Sequence, residues 1–172
     1  LSIPSGQYSR AFDAALEVLD SSQHVLFESL MRVQETKQSS QIVHACTDIT
    51  GFGLLGHLEE MLFASNEERS NKGLPSLRIK LYADAIPSLE GALDLIGNGY
   101  SSTLAPANRR AWSLLDNKGN LSAPIHLVLG ESMTYGSKEH HQILELLVDP
   151  QTCGPLLIAC SSAVASELRS KG

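Results

Sequence analysis

Ile42-Val43-His44-Ala45-Cys46-Thr47-Asp48-Ile49-Thr50-Gly51-Phe52-Gly53-Leu54-Leu55-Gly56-His57 is the stretch that decides how this chain folds. β-Branched and small apolar residues over Ile42 to Cys46 predict a short buried strand. Asp48 to Gly53 follows at its end as a glycine turn. Leu54, Leu55, Leu58, Met61 and Leu62 then fall on one helical stripe, so the segment reads as strand, turn and helix.

Toward the amino terminus, Phe12, Leu16 and Leu19, then Leu26, Leu30 and Val33, recur every three or four residues. That spacing predicts two amphipathic helices with a break near Ser21-Ser22, and the polar residues Glu35 to Gln41 connect them to the strand. In the other direction, Asn66 to Ser76 is polar, contains Gly73 and Pro75, and reads as a surface loop. Leu77, Ile79 and Leu81 alternate with polar partners as a half-buried strand does. Pro87 is expected to open a helix carrying Leu89, Leu93 and Ile96, closed by Gly97 or Gly99. Ala107 to Leu115 predicts a short helix around Trp112. Ile125 to Leu129 and Leu156 to Cys160 predict strands, Leu144 to Val148 a strand or a helix end, and Ser162 to Lys171 a last helix. Helices and strands mix without strict alternation, which favours the α+β class: a mixed sheet covered by helices, in one domain over residues 1–172.

Composition narrows the function classes. Hydrophobic residues make up 42% and charged residues 19%, enough apolar content for a core and too little charge for wholesale disorder. The net charge of −6 and the lack of a basic run argue against a nucleic-acid partner, which would need a basic face. No apolar run approaches the roughly 20 residues of a membrane span, so no membrane role is expected. Cys46, Cys153 and Cys160 lack paired CxxC spacing; neither a disulfide framework nor a structural zinc site is expected, and a reducing, cytoplasmic setting is. The first residue is Leu1, not Met, and a longer parent chain is expected.

Two strings carry possible chemistry. Asp48 ends a strand beside Gly51 and Gly53, where a carboxylate can serve Mg²⁺ and helix-start N–H groups can serve an anion. An aspartate near a helix start can equally be a plain cap, and both readings fit the residues. No lysine follows the last glycine, so this is not a P-loop, and the spacing is not the dinucleotide fingerprint. The second string, Asp149-Pro150-Gln151-Thr152-Cys153-Gly154, reads as a turn. Cys153 has no sequence-adjacent cation or histidine to activate it, while Cys46 and Cys160 read as core residues. His57 reads as a packed or partly exposed histidine, not a catalytic base, Glu59-Glu60 as a solvated helix face, and Arg109-Arg110 as solvent-facing cations within possible reach of a phosphate. The adjacent His140 and His141 do not share a face and are not expected to be metal ligands.

Ala45 to His57 resembles the ACTD(V/I)TGFGLLGH segment of the selenophosphate synthetase family almost letter for letter. Asp149 to Leu157 is similar to its DPQTSGGLL segment, and Ile86-Pro87, Gly91-Ala92 and Asn108-Arg109-Arg110 are similar as well. The resemblance implies a carboxy-terminal domain of the aminoimidazole-ribonucleotide-synthetase superfamily. It implies an ATP- and Mg²⁺-dependent enzyme making selenophosphate, AMP and phosphate from selenide, ATP and water. It implies that Asp48 meets the metal and that Thr50, Gly51, Phe52 and Gly53 meet the nucleotide. The reactive cysteine or selenocysteine, its lysine and most metal-binding aspartates then belong to an amino-terminal ATP-binding domain, the expected partner. No catalytic residue is expected here, this chain alone is expected to be inactive, and the full-length enzyme is expected to be a homodimer. Cys153 and Pro155 stand where the family has serine and a second glycine, and the family continues past the position of Gly172 with another strand. Two rival readings are a scaffold or docking domain and another ATP-dependent enzyme of the superfamily.

Overall fold

The structure is a computed structural model that describes residues 9–22, 24–35, 42–116, 122–152 and 154–171. Two helices open it, α1 (Ser9–Asp20) and α2 (His24–Glu35), separated at Ser21-Ser22 as the periodicity requires. The expected connector, apart from Glu35, falls outside the described residues. Strand β1 (Val43–Asp48) leads through the glycine turn into α3 (Gly53–Asn71). Strand β2 (Ile79–Tyr82), a 3₁₀ turn at Ala83–Ala85 and α4 (Ala92–Gly97) come next. Then follow α5 (Ala105–Asn108), a 3₁₀ segment at Arg109–Leu114, β3 (Ile125–Val128), α6 (Lys138–Val148), β4 (Leu156–Cys160) and α7 (Ser162–Lys171).

The α+β class holds. The strands form two pairs: β1 lies antiparallel to β4, Asp48 opposite Leu156, and β2 lies parallel to β3, Ile79 opposite Ile125. A register shift between Val43 and Ala45 bends the first pair. The main core packs Leu55, Leu58 and Leu62 of α3 against Ile143, Leu144, Leu147 and Val148 of α6, with Ile125 and Leu127 of β3 beneath.

Some strand ends shift by one or two residues from the sequence reading, and three helical segments differ more. Helix α3 runs on to Asn71, so only Lys72 onward is the predicted surface loop. Glu67, Glu68 and Arg69 are helix formers, Lys72 pairs with Glu68 at 2.7 Å, and no breaker intervenes before Gly73. Gly73 then takes φ of 67° and closes the helix, with Leu74 N–H donating to Arg69 O (2.9 Å) and Gly73 N–H to Ser70 O (3.0 Å). Helix α4 starts at Ala92, not at Pro87, because Gly91 at φ of 78° interrupts any helix before it. Gly99 (φ 85°) ends it, one of the two predicted stops. The short helix around Trp112 is divided into an α turn and a 3₁₀ segment, and Trp112 donates its indole N–H to Leu144 O at 2.9 Å.

Of the two readings for Leu144 to Val148, the helix end is the one observed. Ser137 caps α6 by accepting from His140 N–H at 3.1 Å. His140 is buried, its Nδ1 accepts from Gly136 N–H at 3.1 Å, and its Nε2 has no hydrogen-bond partner among the described residues. Burial, and secondly the charge of His141, hold its pKa below the ordinary histidine value. The folded protein therefore resists protonation at a site where the unfolded chain accepts it near pH ~6.5. The associated stability is complete above that pH and is lost as pH falls through the lowered folded pKa. A thermal midpoint that drops on acidification below about pH 6.5 is expected. His140→Asn, which keeps an acceptor for Gly136 and does not titrate, should shrink that drop; an unchanged acid limb would show that His140 is not its source.

Helix α1 contributes no buried residue, and Phe12, Leu16 and Leu19 are all exposed. Its amphipathic pattern is therefore real, while its apolar face meets solvent in this chain.

Candidate functional site

The two strings singled out in the sequence meet in space. Thr50 O accepts from Gly53 N–H (3.0 Å), closing the glycine turn, and also from Gln151 N–H (3.0 Å). Ile49 N–H donates to Pro155 O at 3.0 Å. Pro155 lacks the N–H of the family glycine, yet it serves the turn through its carbonyl.

Several letters of Thr50 to His57 have a local physical cause. Gly53 is buried at φ of 69°, and a Cβ there would stand 2.8 Å from Val148 C and 3.0 Å from Asp149 O. Its freedom is needed for packing against the end of α6. Gly56 leaves room for Phe52, whose Cβ would lie 2.7 Å from an added Cβ. Leu55 is fully buried. Gly51, by contrast, has nothing within 4 Å of where its Cβ would be. Thr50 Oγ1 lies 3.2 Å from His57 Nε2, tying the first residue of the turn to the second turn of α3.

Asn108 is the residue that the sequence reading missed as part of the site. Buried on α5, it donates through Nδ2 to Gly51 O (2.9 Å) and Val148 O (3.1 Å), pinning the turn to α6. Its only sequence signal is its place in the Asn108-Arg109-Arg110 stretch. Asn108→Ala strands two carbonyls and is expected to cost about 1–3 kcal/mol in chemical unfolding. A cost below ~0.5 kcal/mol would mean that water replaces the amide freely.

Asp48 is the last residue of β1 and is exposed, on the strand face it shares with His44 and Cys46. It forms no ion pair among the described residues. Nor is it a helix cap: Phe52 occupies the N-cap position of α3, and no side chain caps that terminus. Cys46 corrects the sequence reading, since it is exposed and not a core residue. Strand alternation turns it outward. Partial burial of its sulfur, and then the nearby Asp48 carboxylate, raise its thiol pKa and keep it a poor nucleophile. Cys160 is half-buried, and Cys153 lies outside the described residues.

Arg109 is committed to the fold: it meets Glu145 at 2.9 Å and 3.3 Å and lies over Trp112 at 5.7 Å. Arg110 is exposed on the rim of a shallow groove that also touches Phe52, Gly56 and Asn108. Asp149 is half-buried at the end of α6; burial raises its pKa, the Gln151 amide opposes that shift, and Glu145 adds to it. A larger groove of about 420 Å³ runs between β1 and α3, lined by His44, Cys46, His57 and Glu60 among others, and neither Asp48 nor Thr50 to Gly53 borders it.

Residues 10–69 match the family described as AIR synthase related protein, C-terminal domain. A selenide, water dikinase of Caldanaerobacter subterraneus is 36% identical over 137 residues, covering 77% of this chain and 32% of that protein. The selenide, water dikinase of Pelobacter propionicus is 31% identical over 166 residues, covering 95% of this chain and 40% of its own length. Over most of its length the chain is similar to selenide, water dikinases. One from Shewanella putrefaciens is 36% identical over 126 residues, covering 73% of this chain. This chain spans 27–40% of the lengths of these three selenide, water dikinases. Its Asp48 and Thr50 to Gly53 lie inside the stretch that matches the C-terminal domain family.

Proposed function

We propose that this chain is the carboxy-terminal part of an ATP-dependent enzyme that makes selenophosphate, AMP and phosphate from selenide, ATP and water. In this reading it supplies one wall of the metal–nucleotide site, and an amino-terminal ATP-binding domain supplies the other. The observation that carries the proposal is the uncommitted carboxylate of Asp48: exposed at a strand end, in no ion pair among the described residues, and not used as a helix cap. A carboxylate beside phosphates is repulsive unless a cation lies between them. Mg²⁺ suits that place, because it takes one or two carboxylates and completes its shell with water and phosphate oxygens. Among the described residues no group of three or more His, Cys, Asp or Glu forms a cage, so Asp48 would be one ligand among others. Thr50, Gly51, Phe52 and Gly53 would face the nucleotide phosphates. No helix among the described residues is long and apolar enough to cross a membrane, and an exposed, unpaired Cys46 suits a reducing cytoplasm.

The exposed Phe12, Leu16 and Leu19 face of α1 favours a second reading, a docking domain within a larger assembly. The two separate in one experiment on the full protein, with ATP, Mg²⁺ and selenide followed by ³¹P NMR. Selenide-dependent formation of AMP and selenophosphate is expected. ATP turnover indifferent to selenide would point to another reaction, and a folded protein that neither binds nor turns over ATP would leave the docking reading.

A further inference from the structure

Thr50 and His57 form a pair whose proton has a definable place. His57 is buried, and its Nε2 lies 3.2 Å from Thr50 Oγ1. Its Nδ1 is also buried and has no hydrogen-bond partner among the described residues, while Glu60 Oε2 stands 3.3 Å away, out of hydrogen-bond alignment. A neutral imidazole carries one proton, on one nitrogen or the other. A carboxylate beside Nδ1 attracts a proton there and would repel a bare lone pair. With the proton on Nδ1, Nε2 is an acceptor, and the hydroxyl of Thr50 must donate to it. The Phe52 ring, 5.7 Å from the His57 ring centre, covers the pair from one side. Thr50 O is held at the same time by Gly53 and Gln151, so both polar ends of this residue are fixed.

We propose that His57 is a positioning residue that holds the Thr50 hydroxyl proton inward, so that Thr50 meets its ligand with oxygen lone pairs. The proposal rests on the nucleotide-site reading of the turn and sharpens it. An outward lone pair accepts from a metal-bound water or an N–H group and repels a bare phosphate oxygen. Thr50 therefore contacts the nucleotide through the hydrated cation, and the phosphates themselves are left to backbone N–H groups and to cations.

The test is made on the full protein labelled with ¹⁵N only at histidine, using His57→Gln to assign the signal. Nδ1 is expected to be the protonated nitrogen and Nε2 the bare one, and a proton on Nε2 overturns the proposal. The second arm measures affinity for MgATP by displacement of a fluorescent nucleotide. His57→Leu should weaken it about tenfold, as loss of an orienting partner does. His57→Gln, whose side-chain oxygen can take the same proton, should recover most of that loss. Thr50→Val should match His57→Leu, and the double variant should be no worse than either. Wild-type affinity in a folded His57→Leu variant, or additive losses, would sink the idea. If Asp48→Asn also binds MgATP as the wild type does, the nucleotide reading has failed, and the ¹⁵N result still decides the tautomer.

Discussion

Asp48→Asn in the full protein is expected to lower magnesium-dependent nucleotide turnover by about a hundredfold, equivalent to ~2.7 kcal/mol of transition-state stabilisation. The substitution removes a charge and keeps the shape. Because Asp48 is exposed and neither caps α3 nor joins an ion pair among the described residues, the fold has little to lose. The thermal midpoint should stay within about 2 °C of wild type, the range of a surface change. The dependence on Mg²⁺ should shift to higher concentration as the remaining ligands hold the ion less tightly. Full activity with an unchanged magnesium requirement would reject Asp48 as a ligand, whatever happened to stability.

Gly154→Ala should produce the largest loss of stability of any single methyl added near the site. A Cβ at Gly154 would fall on the Ile49 carbonyl, which is backbone and cannot swing aside. Relief requires moving β1 away from the Gln151 to Pro155 segment, and with it the bonds from Gln151 to Thr50 and from Ile49 to Pro155. A cost of about 3 kcal/mol is expected, at the upper end of overpacking effects. For a chain of this size that lowers the thermal midpoint by roughly 6–12 °C. Gly51→Ala is the matched control, since its Cβ enters open space and should leave the midpoint unchanged. A Gly154→Ala protein as stable as that control would show that the two strings are not in the contact described.

The sequence was most informative where a residue's cause is local. The strand, the turn and the start of α3 follow from β-branched residues, glycines and a leucine stripe, and the close of α4 at Gly99 follows from glycine's access to positive φ. Polar composition misled at Asn66 to Asn71, because a run of Asn, Glu, Arg and Ser can continue a helix when nothing stops it. Cys46 was misplaced for a related reason: it sits among apolar neighbours in the chain, but alternation along β1 turns it toward solvent. Asn108 shows the harder limit. Its amide answers the carbonyls of Gly51 and Val148, far away along the chain, and no window of sequence contains that relation. The bond between Thr50 and His57 spans only two helical turns, yet its presence depends on how α3 enters the turn, which the letters alone leave open.

The pairing of β1 with β4 joins residues 43–48 to residues 156–160, whereas the buried residues of the main core all lie between Leu55 and Val148. Closing the longest loop carries the greatest entropic penalty and is delayed relative to local contacts. The helical core can thus assemble before the residues that hold the glycine turn have arrived. On a ribosome, residues 149 onward emerge after the core, and until they do the turn lacks both Gln151 and Pro155. If the turn meets a nucleotide as proposed, that competence is in this sense a late event in the life of each molecule, separate from its compaction.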